Sequence, residues 1–514
     1  MRKSLSWQNY LATWFLILSF VCLPFSNALA ESPAEWMAQG RQAVRKAQTI
    51  VPNNRIAKNV IFFIGDGMNI PTVTAARIYE WQKANQGVAG GEQHFLNFEK
   101  FPYVALSKTF CSNQQVTDSA AAITAMCTGV KTKDGMLGVN QNVLPHKASS
   151  VPGTEVKTMF EWAEQKRLST GVVSTTRITH ATPAGAYAHT PDRDWESDSK
   201  ITVADDAANA QFPDIARQLV EWPYGNGLEV ALGGGRAYFM PKTTADPEYT
   251  TKFGNRNDGR DLTAEWVANG GAYVWNKNQF DAIDPATTVR LLGLFEQSHM
   301  RYEFDRPNDA ANGQGGEPSL ADMTAKAIDI LSKNKRGYML MVEGGRIDHA
   351  HHENSAFKTL EDTLAFVQAV QVALDKTNPR DTLIVVTADH GHVMTFTGYS
   401  TRGNPILGKV TENDYWGNPT DPLTLTLGTD GLPFTTLLYG NGPGYKNPRE
   451  DLTGVDTTAP TYKQQSAVPW GSDGHSGEDV SIYATGPGAH LFHGVQENTY
   501  FFHAIMEATK LRYR

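Results

Sequence analysis

Apolar residues in this chain gather into short uninterrupted runs, several of which end in glycine and an acid. Asn59-Val60-Ile61-Phe62-Phe63-Ile64 stops at Gly65-Asp66-Gly67. Tyr338-Met339-Leu340-Met341-Val342 stops at Glu343-Gly344-Gly345, and Leu383-Ile384-Val385-Val386 at Thr387-Ala388-Asp389-His390. Thr170-Gly171-Val172-Val173-Ser174 leads into a polar turn, and Val230-Ala231-Leu232 into three glycines. A run without polar alternation predicts a strand buried on both faces, the habit of a parallel sheet. Helical periodicity over 320–333 and 356–374 falls between such runs. Strands alternating with helices predict an α/β fold, a central and largely parallel sheet flanked by helices.

Three stretches stand outside that rhythm. Residues 31–50 are polar, rich in helix formers, and predict an N-terminal helix. Residues 305–318, rich in Asn, Gly and Asp, predict a surface loop. Residues 398–470, rich in Gly, Pro and Thr, read as an insertion within one catalytic domain spanning 31–514.

The first thirty residues read as a secretory signal. Arg2 and Lys3 precede a short apolar run at 11–23, and Ala28-Leu29-Ala30 supplies small residues for cleavage. The run is short for a membrane span. The basic end, Lys510-Leu511-Arg512-Tyr513-Arg514, offers no hydrophobic tail for a lipid anchor. The expected location is the periplasm or outside the cell. The absence of an Asn-x-Ser/Thr sequon fits a bacterial periplasm.

The net charge is −8, and removing Arg2 and Lys3 makes it more negative. That argues against a nucleic-acid or anionic-membrane surface. An enzyme for anionic substrates must then build positive charge locally. Of three cysteines only Cys111 and Cys127 follow the leader. A disulfide scaffold is excluded; one bridge remains open, and two buried thiols are the plainer reading.

The acids Asp66, Glu343 and Asp389 all follow strand ends, where open α/β sheets bind ligands. Three converging carboxylates need cations between them. In Glu343-Gly344-Gly345-Arg346-Ile347-Asp348-His349-Ala350-His351-His352, a helix would set Asp348 and His352 on one face at i and i+4. A carboxylate and an imidazole so placed suit a divalent transition metal. Asp389-His390 is a second such pair, and His475 sits in a glycine-rich turn. Ser119, in Thr117-Asp118-Ser119-Ala120-Ala121, falls where a helix begins, facing free N–H groups that suit phosphate. No G-x-S-x-G surrounds it, so its activation would have to come from a metal.

Together these segments resemble the alkaline phosphatase family, from about residue 59 to about 483. Thr176 to Thr190 and the Glu343-to-His349 motif look like its animal branch. The resemblance implies hydrolysis of phosphate monoesters with broad alcohol specificity, through a phosphoserine at Ser119, at alkaline pH. It implies one zinc at Asp348, His352 and His475, and a second at Asp66, Asp389 and His390. Magnesium would sit at Asp66, Thr182 and Glu343, with His180 nearby. Arg193 looks like the phosphate clamp, oriented by Asp118, and His349 looks placed near the phosphate. Glu248, Phe295 and Glu296 match a calcium-type site of the animal branch, and Glu317 falls where that branch has Asp. The insertion matches the dimer crown in position only, which implies a homodimer. A sulfatase would need Cys-or-Ser-x-Pro-x-Arg, which neither cysteine begins. A diesterase side activity stays open, and Ser119 with Arg193 argues against a purely binding protein.

Overall fold

The computed structural model describes residues 31–86, 90–309, 316–420 and 424–511. The expected leader lies outside them. Fifteen strands follow in chain order: β1 Asn59–Gly65, β2 Tyr103–Ser107, β3 Ser169–Arg177, β4 Val230–Gly234, β5 Ala272–Val274, β6 Leu291–Leu294, β7 Tyr338–Gly344, β8 Thr382–Thr387, β9 Gly391–His392, β10 Met394–Phe396, β11 Leu437–Gly442, β12 Ser466–Pro469, β13 His475–Ser476, β14 Val480–Thr485 and β15 Gly494–Gln496. Ten form one sheet in the order β15-β2-β14-β8-β1-β7-β3-β4-β6-β5. From β8 to β5 every neighbouring pair is parallel, while β14 runs antiparallel to both β8 and β2. The sheet is therefore mixed but largely parallel, with helices on both faces.

The continuous apolar runs follow from those two helical layers. Val60, Phe62 and Ile64 of β1 join one apolar cluster with residues of the helices Ser119–Thr128, Met159–Gln165 and Tyr500–Thr509. Ile61 and Phe63 point the other way, into a cluster with the helices Ile70–Ala84, Leu320–Leu331 and Ala356–Lys376. Alternate side chains of a strand face opposite sides, so a strand covered twice must be apolar throughout. Each fully buried Phe or Ile contributes roughly 1.5–3 kcal/mol.

Register does the rest. Ile64 of β1 pairs with Glu343 of β7 and with Thr387 of β8, so Asp66, Glu343 and Asp389 leave the sheet at one edge.

Residues 394–470 hold more strand than the sequence suggests. β10, β11 and β12 form a separate three-stranded sheet, and the other described residues there form turns with isolated bridges. Alternation with glycine in Leu437-Leu438-Tyr439-Gly440-Asn441-Gly442 hides β11 from a hydrophobic scan. The 305–318 stretch is not all surface either: Asp309 and Glu317 are buried. The helix Pro33–Gln48 is closed by a Ser32–Glu35 capping box, and none of its residues is buried. Glu31 ties its start to Arg402 at 2.8 Å. Cys111 and Cys127 are both buried and free. Among the described residues no helix is long and apolar enough to cross a membrane.

Candidate active site

Ser119 opens the helix Ser119–Thr128, and Asp118 is its N-cap. Oδ1 of Asp118 accepts from the Ala121 N–H at 3.0 Å. Its Oδ2 accepts from Nη1 of Arg193 at 2.9 Å. One carboxylate thus fixes the helix start and aims the guanidinium at it. Ser119 is buried, and its Oγ lies 3.1 Å from Nε2 of His390.

Around that nitrogen stand Oδ1 of Asp66 at 3.3 Å and Oδ2 of Asp389 at 3.4 Å. Both Asp66 oxygens and Oδ2 of Asp389 are buried without a hydrogen-bond partner. Leaving buried carboxylate oxygens unpaired is costly, so such a cluster calls for a cation. Burial first, then repulsion from Asp389, Asp348 and Glu343, pushes the Asp66 carboxyl well up. Burial and Asp348 raise Asp389 as well. Burial, then His475, pushes His390 well down, so its imidazole is neutral.

A second group adjoins it. Asp348 and His352, one turn apart on the helix Arg346–His352, approach to 3.3 Å. His475 reaches Asp348 at 3.4 Å and stacks on His390 with centroids 3.6 Å apart. Nδ1 of His352 donates to the Asp473 carbonyl at 2.6 Å, and Nδ1 of His475 to the Thr117 carbonyl at 2.8 Å. Backbone bonds at Nδ1 turn both Nε2 atoms toward Asp348, the orientation a metal ligand needs.

His392 completes this group, and the sequence reading missed it. Its Nε2 donates to Asp348 at 2.7 Å and its Nδ1 to the Asp473 carboxylate at 2.8 Å. Burial works against its charge, but the two carboxylates outweigh that and push it up to about 9. Bonded at both ring nitrogens, it orients Asp348. Burial likewise opposes ionisation of Asp348, yet His352, His392 and His475 hold its carboxyl well below the usual range. The available signal was Asp389-His390-Gly391-His392, whose histidines share one side of an extended chain.

Asp66, His180 and Glu343 make a third group, with ligand atoms within 4.8 Å of one another. Oε1 of Glu343 and Oγ1 of Thr182 are buried there without partners. Thr176 donates to the other Glu343 oxygen at 3.2 Å, and Ser174 also donates to it. Burial moves Glu343 up to about 7, against the pull of the Ser174 hydroxyl. His180 accepts from Nη2 of Arg193 at 3.1 Å, so the Arg193 guanidinium and the third group are coupled. Burial, then Arg193 and Arg177, keep His180 neutral. His349 packs 5.6 Å from the His180 ring, and burial with Arg346 lowers it to about 3.

The fourth group lies beyond β6, three strands from β7. Glu248 and Glu296 come together there with Asp309, which the sequence reading did not name. Glu317 accepts the Arg301 N–H at 2.9 Å, and its other oxygen is buried without a partner. It borders the trio rather than joining it. Burial and the neighbouring acids push its carboxyl well up. Phe295 is buried with its ring against Phe280.

Convergent carboxylates and imidazoles with orphaned buried oxygens fit divalent cations. The comparisons bear on what they serve. A family profile described as alkaline phosphatase matches residues 57–511. The tissue-nonspecific alkaline phosphatase isozyme of Gallus gallus is 44% identical over 93% of this chain and 89% of its own length. An alkaline phosphatase of Gadus morhua is 42% identical over 93% of this chain and 97% of its own. The crystal structure of Thermus thermophilus alkaline phosphatase superposes with a TM-score of 0.62 at 27% identity, covering 91% of this chain and 94% of that one.

Proposed function

From the premise that this chain belongs to the metal-dependent alkaline phosphatase family and is a phosphoric monoester hydrolase, we propose that it works through a phosphoserine at Ser119. Broad alcohol specificity, two zinc ions, one magnesium ion and an alkaline working range belong to the same reading. The observation that carries it is the meeting of the Ser119 hydroxyl with His390, Asp66 and Asp389 at one buried point.

Asp66, Asp389 and His390 would hold one zinc, and Asp348, His352 and His475 the other. Asp66, Thr182 and Glu343 would hold magnesium, with His180 beside it. When bound, these ions supply Lewis-acid charge at the attacking and leaving oxygens.

The chain's own residues do the remainder. The Ser119 oxygen attacks phosphorus in line, and its helix N-terminus presents N–H groups to the phosphate. Arg193, pre-aimed by Asp118, offers a planar fork to two non-bridging oxygens. The alcohol departs on the side of Asp348, His352 and His475. Water then cleaves the phosphoserine and releases inorganic phosphate. His349 borders the cavity of about 350 Å³ that opens beside His352. Recognition centred on the phosphate admits a broad range of alcohols.

We read Glu248 and Glu296, the Phe295 carbonyl, and Asp309 or Glu317 as a calcium-type site, since oxygen donors suit a hard cation. Residues 398–470 belong to a crown on a homodimer in this reading, and the first thirty residues direct export. The test of the reaction is a pH profile on an aryl phosphate, its sulfate and its diester. Rapid alkaline hydrolysis of the monoester alone is expected; preference for the sulfate or diester overturns it.

A further inference from the structure

The cavity beside His352 runs into a second one of about 460 Å³, the two sharing His299, Tyr302 and Arg346. Four basic side chains line this continuous groove, on a chain whose net charge is −8. Two of them are already engaged. Arg301 faces Asp309 at 3.4 Å, and Lys358 lies between Asp305 at 3.9 Å and Glu353 at 3.8 Å. The other two, Arg346 and Lys463, form no direct ion pair among the described residues, and Arg346 acts on the buried Asp362 carboxyl only at longer range.

Arg346 is held ready. Its guanidinium lies 3.7 Å over the Tyr302 ring, and the Tyr302 hydroxyl donates to Glu353 at 2.7 Å. Its Nη1 donates to Nδ1 of His349 at 2.8 Å, while its Nε is buried and makes no hydrogen bond. A guanidinium stacked on an aromatic face and bonded at one end loses little freedom when it binds an anion. The proposed reaction has no use for it. It sits on the alcohol side of the site, at the start of the helix Arg346–His352 that also carries Asp348 and His352.

We propose that Arg346 and Lys463 form an anion subsite for the leaving group, selecting substrates whose alcohol carries a second phosphate. The class is the small organic bisphosphate. This inference rests on the phosphomonoesterase reading. One phosphoryl group passes to the Ser119 oxygen as its ester P–O bond breaks. The departing alcohol keeps the ester oxygen and gains a proton from water, the hydroxide so formed taking the proton that Ser119 gives up, while its second phosphate stays on Arg346 and Lys463. A second water then releases orthophosphate from the serine.

The test compares propane-1,3-diol monophosphate with propane-1,3-diol bisphosphate, alongside 4-nitrophenyl phosphate, for the wild-type holoenzyme, Arg346→Met and Lys463→Glu. Lys463 is exposed on the groove wall, so its replacement spares the core. In the wild type, the bisphosphate has the higher kcat/KM at low salt, and the advantage shrinks as salt rises. Each variant should lower the bisphosphate-to-monophosphate ratio about tenfold, the worth of a charge-assisted hydrogen bond. An unchanged ratio in both variants, or an equal fall for both substrates in both, overturns the subsite and leaves Arg346 as a support for His349. Failure of the wild type to hydrolyse 4-nitrophenyl phosphate overturns the underlying reading instead.

Discussion

The hydroxyl of Ser119 lies 3.1 Å from Nε2 of His390, within a buried pocket that also holds Asp66 and Asp389. A serine in the first turn of an ordinary helix has no reason to face buried carboxylate oxygens that lack partners. If it is the nucleophile, Ser119→Ala lowers kcat at least about a thousandfold. The same variant retains its metals, because Ser119 is outside all four acid and imidazole groups. Kinetics together with metal analysis checks both halves; loss of activity with loss of metal would indicate a structural role.

Metal removal should destabilise the protein, not merely silence it. Asp66, Asp389 and Glu343 crowd one buried point with orphaned oxygens. Without cations their mutual repulsion is unrelieved. Chelator-treated protein at pH 8 should therefore melt lower than the untreated enzyme, with zinc restoring most of the difference and magnesium the rest. Identical melting curves before and after verified metal loss would refute the assignment.

His180 should make the third group permissive. A neutral imidazole adds no negative charge for magnesium, which prefers oxygen, and it accommodates zinc. Excess zinc is expected to inhibit, with added magnesium relieving it. His180→Asp should tighten magnesium binding, measured by titration calorimetry. Equal affinities in the two proteins, with no zinc inhibition, would remove His180 from the site.

Calcium should raise the melting temperature through the fourth group. Asp309→Asn and Glu248→Gln are expected to abolish that shift while leaving kcat on aryl phosphate within about twofold, since a remote stabilising site does not touch the chemistry. Differential scanning calorimetry with and without calcium decides. No calcium shift in the wild type would reduce the group to buried acids balanced by Arg236 and Arg301.

A pH effect on stability is expected far from the metals. Burial, then the neighbouring Glu229, pushes Glu164 up to about 8 from 4.5. Its folded form holds a proton that the unfolded chain releases on passing 4.5. Its contribution is fully present below that pH and is lost as pH rises through about 8, a change on the order of 5 kcal/mol. Glu164→Gln keeps the acceptor for the Thr170 hydroxyl. It should flatten the fall in melting temperature between pH 5 and 8; an unaltered slope would contradict the shift.

The sheet was legible because a strand covered on both faces must be apolar throughout, as 59–64, 338–342 and 383–386 are. The strand-end acids were legible for the same reason, since each interrupts an apolar run at its end. His392 was not. Its role depends on β9 pairing with β13, which sets His392 opposite His475 across a long sequence separation. Asp309 was hidden by its polar loop, where composition implies solvent and packing instead buries the side chain. β11 was masked by glycines that weaken the hydrophobic signal without preventing the ladder.

The most direct measurement is capture of the covalent intermediate. The holoenzyme is mixed with a phosphate monoester labelled at phosphorus, quenched in acid and digested. Peptide mapping should find the label on Ser119 and nowhere else, with none retained by Ser119→Ala. Stable label on another residue, or full turnover by Ser119→Ala, would contradict a serine-based phosphoryl transfer.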